Sequence, residues 1–194
     1  MDLPALTWGD PVDHSNRDER DDPLACPFII AIDTREQAPW SFTGFRADSQ
    51  KKFRPLVIHT ETKTLQSGDY SIVGFESRLS IERKSLSDAF STFTTDRERF
   101  ERELVRLNRM DFAAVVIEAG WEALIAGPQR IDKSELHSQV IGKTVYRSML
   151  AWSQRFPRVH WFPMPSRQLA EHTCFRLLER WWKDEADRVK RLDF

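Results

Sequence analysis

A short apolar run at residues 112–117, which ends at Glu118, constrains the fold of this 194-residue chain more than any other segment. Six consecutive apolar residues are too few for a buried helix and are typical of a buried strand. Segments whose apolar residues recur at helical spacing lie before and after this run. Strands that alternate with helices predict an α/β fold with three layers, in which a central mixed sheet is flanked by helices.

Further strands are predicted at residues 28–32, 56–60 and 159–162, and a hairpin at residues 70–73 and 79–82. Ser87 or Asp88 is predicted to cap one long helix. Its apolar face comprises Phe90, Phe93, Phe100, Leu104 and Leu107. Two more helices are predicted over residues 134–155 and from Ser166 onwards.

Charge divides the chain into two parts. Residues 1–26 carry seven acidic side chains and two arginines, which gives a charge of −5, so the remainder carries +4. We expect an acidic, disordered leader over residues 1–26 and one folded domain over residues 27–194. The body is basic enough to allow nucleic-acid binding but not to demand it. No apolar run reaches the length of a membrane span, so we expect no membrane partner.

The two cysteines, Cys26 and Cys174, stand alone in the sequence. Their spacing matches neither a disulfide framework nor a zinc site, and a reducing compartment is therefore expected.

Three consecutive ionisable residues, Glu82, Arg83 and Lys84, end the second strand of the predicted hairpin. Side chains on a strand alternate between faces, so Glu82 and Lys84 are expected on the same side. A carboxylate beside an ammonium group suits a divalent metal and a water molecule that attacks a phosphate. An exposed edge strand with ordinary charges would show the same triplet, and the triplet alone favours that simpler interpretation.

Carboxylates elsewhere in the chain favour a metal site over an edge strand with ordinary charges. The hairpin brings Asp69, at its start, close to Glu82, while Asp33 and Glu36 follow another strand and Asp88 begins the next helix. Clustered carboxylates repel one another unless a cation lies between them. Oxygen ligands without histidine or cysteine favour Mg²⁺ or Mn²⁺ as the cofactor.

These segments together resemble a known family. The Gly-Asp pair at residues 68–69, the Glu-Arg-Lys-x-x-x-Asp pattern at 82–88 and the Ile-Asp-Thr-Arg-Glu pattern at 32–36 are similar to the XPF-type structure-specific endonucleases. That family belongs to the PD-(D/E)XK superfamily, which has the restriction-endonuclease-like fold. The resemblance implies a metal-dependent DNA endonuclease that cuts branched, flapped or forked DNA during repair, recombination or replication.

The resemblance implies a role for each residue that matches a position of the family's motif. It implies that Asp69, Glu82 and the Arg83 carbonyl bind the metal and that Lys84 orients the attacking water. Two acidic residues, Asp33 and Glu36, would complete the cluster and bind the metal directly or through water. Asp88 would support the site from the start of the helix, and both Asp33 and Arg83 count among the catalytic residues that the resemblance implies.

Four arginines are candidates for DNA contacts: Arg35, Arg83, Arg97 and Arg99. Structural salt bridges are the alternative for Arg35 and Arg83. A solvated helix face is favoured for Arg102, Arg106 and Arg109. Glu103 stands where the family commonly has glutamine.

The resemblance also implies partners beyond DNA. Family members commonly pair through their nuclease domains, so we expect a homodimer or a complex with another protein. The paired Trp181 and Trp182 would lie either in that interface or in the core. The chain shows no helicase and no tandem helix-hairpin-helix module, and this compactness favours a cytoplasmic prokaryotic or phage enzyme over a nuclear one.

Two alternative functions stay open, and a third, nucleotide binding, is excluded by its motif. A non-catalytic DNA-binding scaffold would be expected to have lost metal ligands, and a sequence-specific nuclease could use the same core. A phosphate-binding loop at residues 141–144 is dismissed, because His137 stands where that motif requires glycine. No nucleotide cofactor is therefore expected.

Overall fold

A computed structural model of the chain describes residues 22–47, 54–127 and 138–192. Most of the predicted leader lies outside the described residues. The first strand begins at Leu24, three residues before the domain start expected at Pro27.

Six strands form one mixed sheet. They are β1 (Leu24–Asp33), β2 (Leu56–Lys63), β3 (Tyr70–Ile72), β4 (Leu79–Lys84), β5 (Phe112–Ile117) and β6 (Val159–Pro163), in the spatial order β2-β1-β3-β4-β5-β6. Among these six strands, only β3 is antiparallel to its neighbours, and every other pair is parallel. The predicted strands and the hairpin are therefore confirmed, with Tyr70 of β3 opposite Ile81 of β4.

Five helices are described: α1 (Leu86–Phe93), α2 (Arg97–Leu107), α3 (Trp121–Ala126), α4 (Ser138–Arg155) and α5 (Arg167–Leu192). The short helix α3 was not expected from the sequence. No helix within the described ranges is long and apolar enough to cross a membrane.

Strand β5, which lies inside the sheet between β4 and β6, shows why the fold has three layers. Ala114 and Val116 pack into an apolar cluster with α5, whereas Ala113, Val115 and Ile117 pack into a second cluster with α1, α2 and α4. Both sets are fully buried because side chains on a strand alternate between its two faces. The predicted three-layer α/β fold is confirmed.

The tryptophan pair on α5 belongs to the core of this chain. Trp182 is buried and its ring lies 5.7 Å from the rings of both Phe28 and Phe75. Trp181 is partly buried, with its ring 5.0 Å from that of Phe75. Both tryptophans therefore pack within the chain, which is the alternative to a place in a subunit interface.

The single long helix predicted after residue 87 is wrong, because the chain forms α1 and α2 with a break at residues 94–96. Thr94 ends α1, and its hydroxyl donates to the Phe90 carbonyl at 2.7 Å. Phe93 and Phe100 are seven residues apart, which is also the spacing of an unbroken helix. The cap is Ser85, whose hydroxyl accepts the N–H of Asp88 at 3.2 Å.

Gly142, which belongs to the dismissed phosphate-binding motif, lies inside α4. A methyl group there would overlap the main-chain carbonyl of Ile125 on α3. This glycine lets two helices approach closely, so helix packing accounts for it.

Candidate active site

The functional residues meet at one edge of the sheet because of strand direction. Five strands run the same way, so β1, β4 and β5 all end at the edge where the antiparallel β3 begins. A cleft of about 410 Å³ opens at this edge. It is lined by Arg35, Glu36, Gln37, Ala38, Asp69, Glu82, Arg83, Lys84, Ser85, Ser87 and Asp88.

Asp69 is fixed beside β4 by main-chain hydrogen bonds. Its N–H donates to the Ile81 carbonyl at 2.9 Å, and its carboxylate accepts the N–H of Arg83 at 2.7 Å. Burial, together with the negative charge of Glu82, raises the pKa of Asp69 well above its ordinary value. A cation bound in the cleft would oppose both effects, because it would favour the ionised carboxylate.

Lys84 and Glu82 form a close ion pair in the cleft. The Lys84 ammonium lies 2.6 Å from a Glu82 carboxylate oxygen, and both side chains are largely shielded from solvent. The same ammonium lies 4.8 Å from the centre of the Phe100 ring on α2. The strand alternation thus brings Glu82 and Lys84 to one side, as the sequence predicts.

Gly68 and Glu103 hold the turn that precedes Asp69. Gly68 has a positive φ of 72°, and a methyl group there would overlap the Ser80 hydroxyl. The Gly68 N–H donates to the Glu103 carboxylate at 3.2 Å, and Arg106 pairs with that carboxylate and with the Ser67 hydroxyl. Glu103 therefore supplies an acceptor oxygen, which the amide oxygen of a glutamine would also supply.

Asp33 has a different position from the one that its expected role requires. Its two oxygens accept four hydrogen bonds, from the main chain and guanidinium of Arg35 and from the Leu65 N–H, at 2.7–3.0 Å. Burial opposes its ionisation, but these bonds outweigh burial and lower the pKa of Asp33. The geometry argues against metal binding by Asp33, because Arg35 and Leu65 occupy its oxygens.

The Arg83 side chain turns towards other protein groups, which is one of the two roles expected for it. Its guanidinium donates to the Glu118 carboxylate at 2.8 and 3.1 Å and to Glu36 at 3.3 Å. Only 10% of the side chain is exposed. These contacts favour the structural alternative over a DNA contact, and they occupy part of the Glu36 carboxylate.

Asp88 lies on the wall of the cleft, where its carboxylate accepts the Ser85 hydroxyl at 2.6 Å. Ser85 in turn accepts the Asp88 N–H, so Ser85 caps α1 and the Asp88 carboxylate fixes the capping hydroxyl. This position agrees with the expected supporting role.

The four candidate DNA-contacting arginines are not brought together. Arg35 lines the cleft and keeps 67% of its side chain exposed. Arg97 packs against α4, where it donates to Ser148 at 2.6 Å, and Arg99 lies exposed on α2 beside Asp96. Arg102 and Arg106 lie on the exposed surface of α2, as predicted, and Arg109 is exposed in the turn that follows the helix.

Asp69 and Glu82 are the two carboxylates that fit a divalent metal. Within the part of the chain that is described, no three side chains from histidine, cysteine, aspartate and glutamate converge closely enough to hold an ion by themselves. The donor set of two carboxylates, one in the turn before β3 and one on β4, with water or main-chain oxygens, has the hard oxygen chemistry of Mg²⁺ and Mn²⁺ sites.

Sequence reasoning missed Glu118, Trp40 and Arg167 as members of the site. Glu118 accepts hydrogen bonds from the Trp40 ring nitrogen at 2.8 Å and from Arg167 at 2.7 Å, besides those from Arg83. One signal was available, because an acidic residue directly after a buried strand lies at the same sheet edge as Lys84.

Comparisons with known proteins agree with this architecture. The family model described as the ERCC4 domain matches residues 32–175. The chain is similar in fold to XPF from Aeropyrum pernix, with a TM-score of 0.51 and 16% identity over 84% of this chain and 68% of that one. XPF from Aeropyrum pernix in complex with DNA gives a TM-score of 0.50 and 17% identity, over 81% of this chain and 66% of that one. No curated protein sequence matches.

The family match covers most of the chain and includes every motif at the cleft. It confirms the resemblance drawn from residues 32–36, 68–69 and 82–88. This chain belongs to the ERCC4 domain family, and its fold is similar to that of XPF from Aeropyrum pernix.

Proposed function

We propose that this protein is a metal-dependent DNA endonuclease that hydrolyses phosphodiester bonds in branched, flapped or forked DNA. The observation that carries the proposal is the grouping of Asp69, Glu82 and Lys84 at one end of a rigid sheet, within an open cleft. Membership of the ERCC4 domain family supports nuclease activity in general.

Asp69 and Glu82 would hold the metal, with the Arg83 carbonyl and water completing its shell. A bound Mg²⁺ or Mn²⁺ would lower the pKa of a water molecule and neutralise charge on the phosphate. Glu36 lines the same cleft but is paired with Arg83, so it would join only through water or after that pair opens.

Lys84 would place the nucleophile. Its ammonium already lies in the cleft on the Glu82 carboxylate, and it is restrained by the Phe100 ring. A fixed cation beside the scissile phosphate stabilises the negative charge that develops as water attacks. Loss of Lys84 should therefore lower the rate of the chemical step more than it weakens DNA binding.

DNA would approach the open side of the cleft, where Arg35 is exposed. Phosphate contacts from this side position a duplex without reading its sequence. This arrangement supports recognition of DNA shape, and the solved XPF complex with DNA has the same fold. We further propose that the protein acts as a homodimer or with a partner protein.

A cleavage panel tests the proposal. Purified protein with Mn²⁺ or Mg²⁺ is incubated with forked, flapped, nicked and linear duplex DNA, alongside Asp69→Ala and Lys84→Ala. The matched controls are Asp184→Ala and Lys190→Ala, which remove the same residue types from the exposed surface of α5. We expect metal-dependent cutting of branched substrates by the wild type and both controls, and none by the two site variants.

Other results would reject parts of the proposal. Cutting by Asp69→Ala at the wild-type rate would reject the assigned site. Binding of branched DNA without cutting under any metal condition would favour the non-catalytic scaffold. Preference for particular linear sequences would favour a sequence-specific nuclease.

A further inference from the structure

Glu118 collects donors from three separate parts of the chain on one carboxylate. Trp40 donates its ring N–H at 2.8 Å, Arg83 donates two guanidinium N–H groups at 2.8 and 3.1 Å, and Arg167 donates at 2.7 Å. Only 11% of the Glu118 side chain is exposed. Buried charges require such partners, so the three donors and Glu118 depend on one another.

Arg83 connects this group to the proposed metal ligands. Its side chain is held by Glu118, while its main-chain N–H is held by the Asp69 carboxylate at 2.7 Å. Its neighbours along β4 are Glu82 and Lys84. The orientation of the Arg83 guanidinium therefore constrains the strand segment that carries the reacting groups.

Trp40 and Arg167 fix the loop that carries Glu36. Arg167 donates to the carbonyls of Ala38 and Pro39 at 2.8 and 3.0 Å. The main-chain N–H of Trp40 donates to the Tyr70 hydroxyl at 2.9 Å, and the rings of the two residues stack with their centres 4.7 Å apart. Tyr70 directly follows Asp69, so the contacts of Trp40 also connect Glu118 to a proposed metal ligand.

We propose that Glu118 is a positioning residue for the metal site, which it serves by holding the Arg83 guanidinium away from the cleft. Without Glu118 the buried guanidinium would keep only its other carboxylate partner, Glu36, which lines the cleft 3.3 Å from it. Held by Glu36 alone, the guanidinium would bring its positive charge closer to the cleft and oppose the binding of a cation there. The metal part of this inference rests on the proposed function, whereas the part that concerns Arg83 does not.

Glu118→Ala tests the inference with two readouts. Titration calorimetry with Mn²⁺ should show affinity about 10–100-fold weaker than the wild type, as is usual when groups behind metal ligands are removed. In the metal-free protein, the Arg83 amide should exchange its hydrogen at least about tenfold faster, because the hydrogen bond to Asp69 is no longer held in place. Thermal unfolding confirms that the compared proteins are folded.

Glu118→Gln and Arg167→Ala extend the test if the alanine variant does not fold. Glutamine keeps one acceptor oxygen but places an amide N–H group against a guanidinium, so an intermediate loss of Mn²⁺ affinity is expected. Arg167→Ala leaves the Arg83–Glu118 pair in place and should change Mn²⁺ affinity less than about threefold.

Glu185→Gln is the matched control. Glu185 is also buried and also receives two arginines, Arg78 and Arg188, but it lies on α5 away from the cleft. It should lower stability without changing the exchange of the Arg83 amide or the Mn²⁺ affinity.

A double-mutant cycle separates positioning from general packing. In an Arg83→Ala background, Glu118→Ala should weaken Mn²⁺ binding less than about threefold further, because Glu118 acts through Arg83. Full additivity of the two losses would overturn the inference.

An unchanged Arg83 amide in a folded Glu118→Ala protein would also overturn it. A wild type that binds no Mn²⁺ and cuts no DNA would reject the proposed function, and the exchange of the Arg83 amide would still decide whether Glu118 positions Arg83.

Discussion

The carboxylate of Asp69, which lies in the turn before β3, accepts the main-chain N–H of Arg83 on β4 at 2.7 Å. One hydrogen bond thus joins the aspartate of the Gly-Asp pair to the middle of the Glu-Arg-Lys triplet. Both motifs are fixed by the same sheet, which explains how the carboxylates of Asp69 and Glu82, thirteen positions apart in the sequence, are held in place relative to each other.

Gly68→Ala should destabilise the protein by about 3 kcal/mol, because the new methyl group adds steric overlap with Ser80 to the cost of a positive φ. Gly74→Ala is the control, since Gly74 also has a positive φ but open space around it, and about 1 kcal/mol is expected there. Urea unfolding measures both. Equal losses would show that overlap with Ser80 does not matter.

Glu103→Gln should leave the free energy of unfolding and the cleavage rate close to the wild-type values, because the amide oxygen can still accept the Gly68 N–H. Glu103→Ala should cost about 1–2 kcal/mol, since that buried N–H loses its acceptor. Unfolding curves and cleavage rates measured in parallel distinguish the two. A glutamine variant as damaged as the alanine variant would show that the charge towards Arg106 is what matters.

Glu185 predicts a specific dependence of stability on pH. Hydrogen bonds from Arg188 and Arg78 lower its pKa from 4.5 to about 2, so folding favours its ionised form. The resulting stability is complete above pH 4.5 and is lost as the pH falls from 4.5 towards 2. We expect about 1–2 kcal/mol, which allows for the partial exposure of both arginines.

Glu185→Gln should remove that contribution, so its melting temperature should fall less steeply than that of the wild type as the pH falls from 4.5 towards 2. Parallel melting curves for the two proteins over this range would contradict the assignment.

Much of the fold follows from the sequence, because β5 and the hairpin carry strong local patterns. The apolar run before Glu118 and the alternation around Ile81 identify their strands without tertiary information. The break between α1 and α2 does not follow, since Phe93 and Phe100 keep the phase of a continuous helix. At the break, Thr94 leaves helical backbone geometry with φ −119° and ψ −89°, and its N–H bonds to the Ser91 carbonyl.

The site is predictable in its members but not in their contacts. Asp69, Glu82, Lys84 and Asp88 line the cleft as the motif indicates. Arg83, however, is held by Glu118, which lies 35 residues further along the chain. Partners at such separations leave no local pattern.

The contacts of Asp33 also could not be predicted from the sequence. Leu65, a partner 32 residues away, helps to occupy the Asp33 oxygens, so this carboxylate of the motif supports the structure around the cleft. Residue type and spacing identify a carboxylate, but only tertiary contacts decide whether its oxygens are available to a metal.

Lys84→Met should separate metal binding from catalysis. The variant removes the ammonium but keeps a chain of similar length against Phe100, so Mn²⁺ affinity should stay within about threefold of the wild type or increase. Single-turnover cleavage should fall at least about 100-fold, because the developing charge loses its fixed cation. Unchanged cleavage would remove Lys84 from the proposed chemistry.

Titration of the wild type and Asp69→Asn with Mn²⁺ by calorimetry tests the central claim most directly. The substitution keeps the size of the side chain and an oxygen to accept the Arg83 N–H, but it removes one of the two charges that are proposed to bind the metal. We predict a saturable Mn²⁺ site in the wild type and affinity at least about 100-fold weaker in the variant. Equal binding by the two proteins, or none by the wild type, would contradict the metal site built on Asp69 and Glu82.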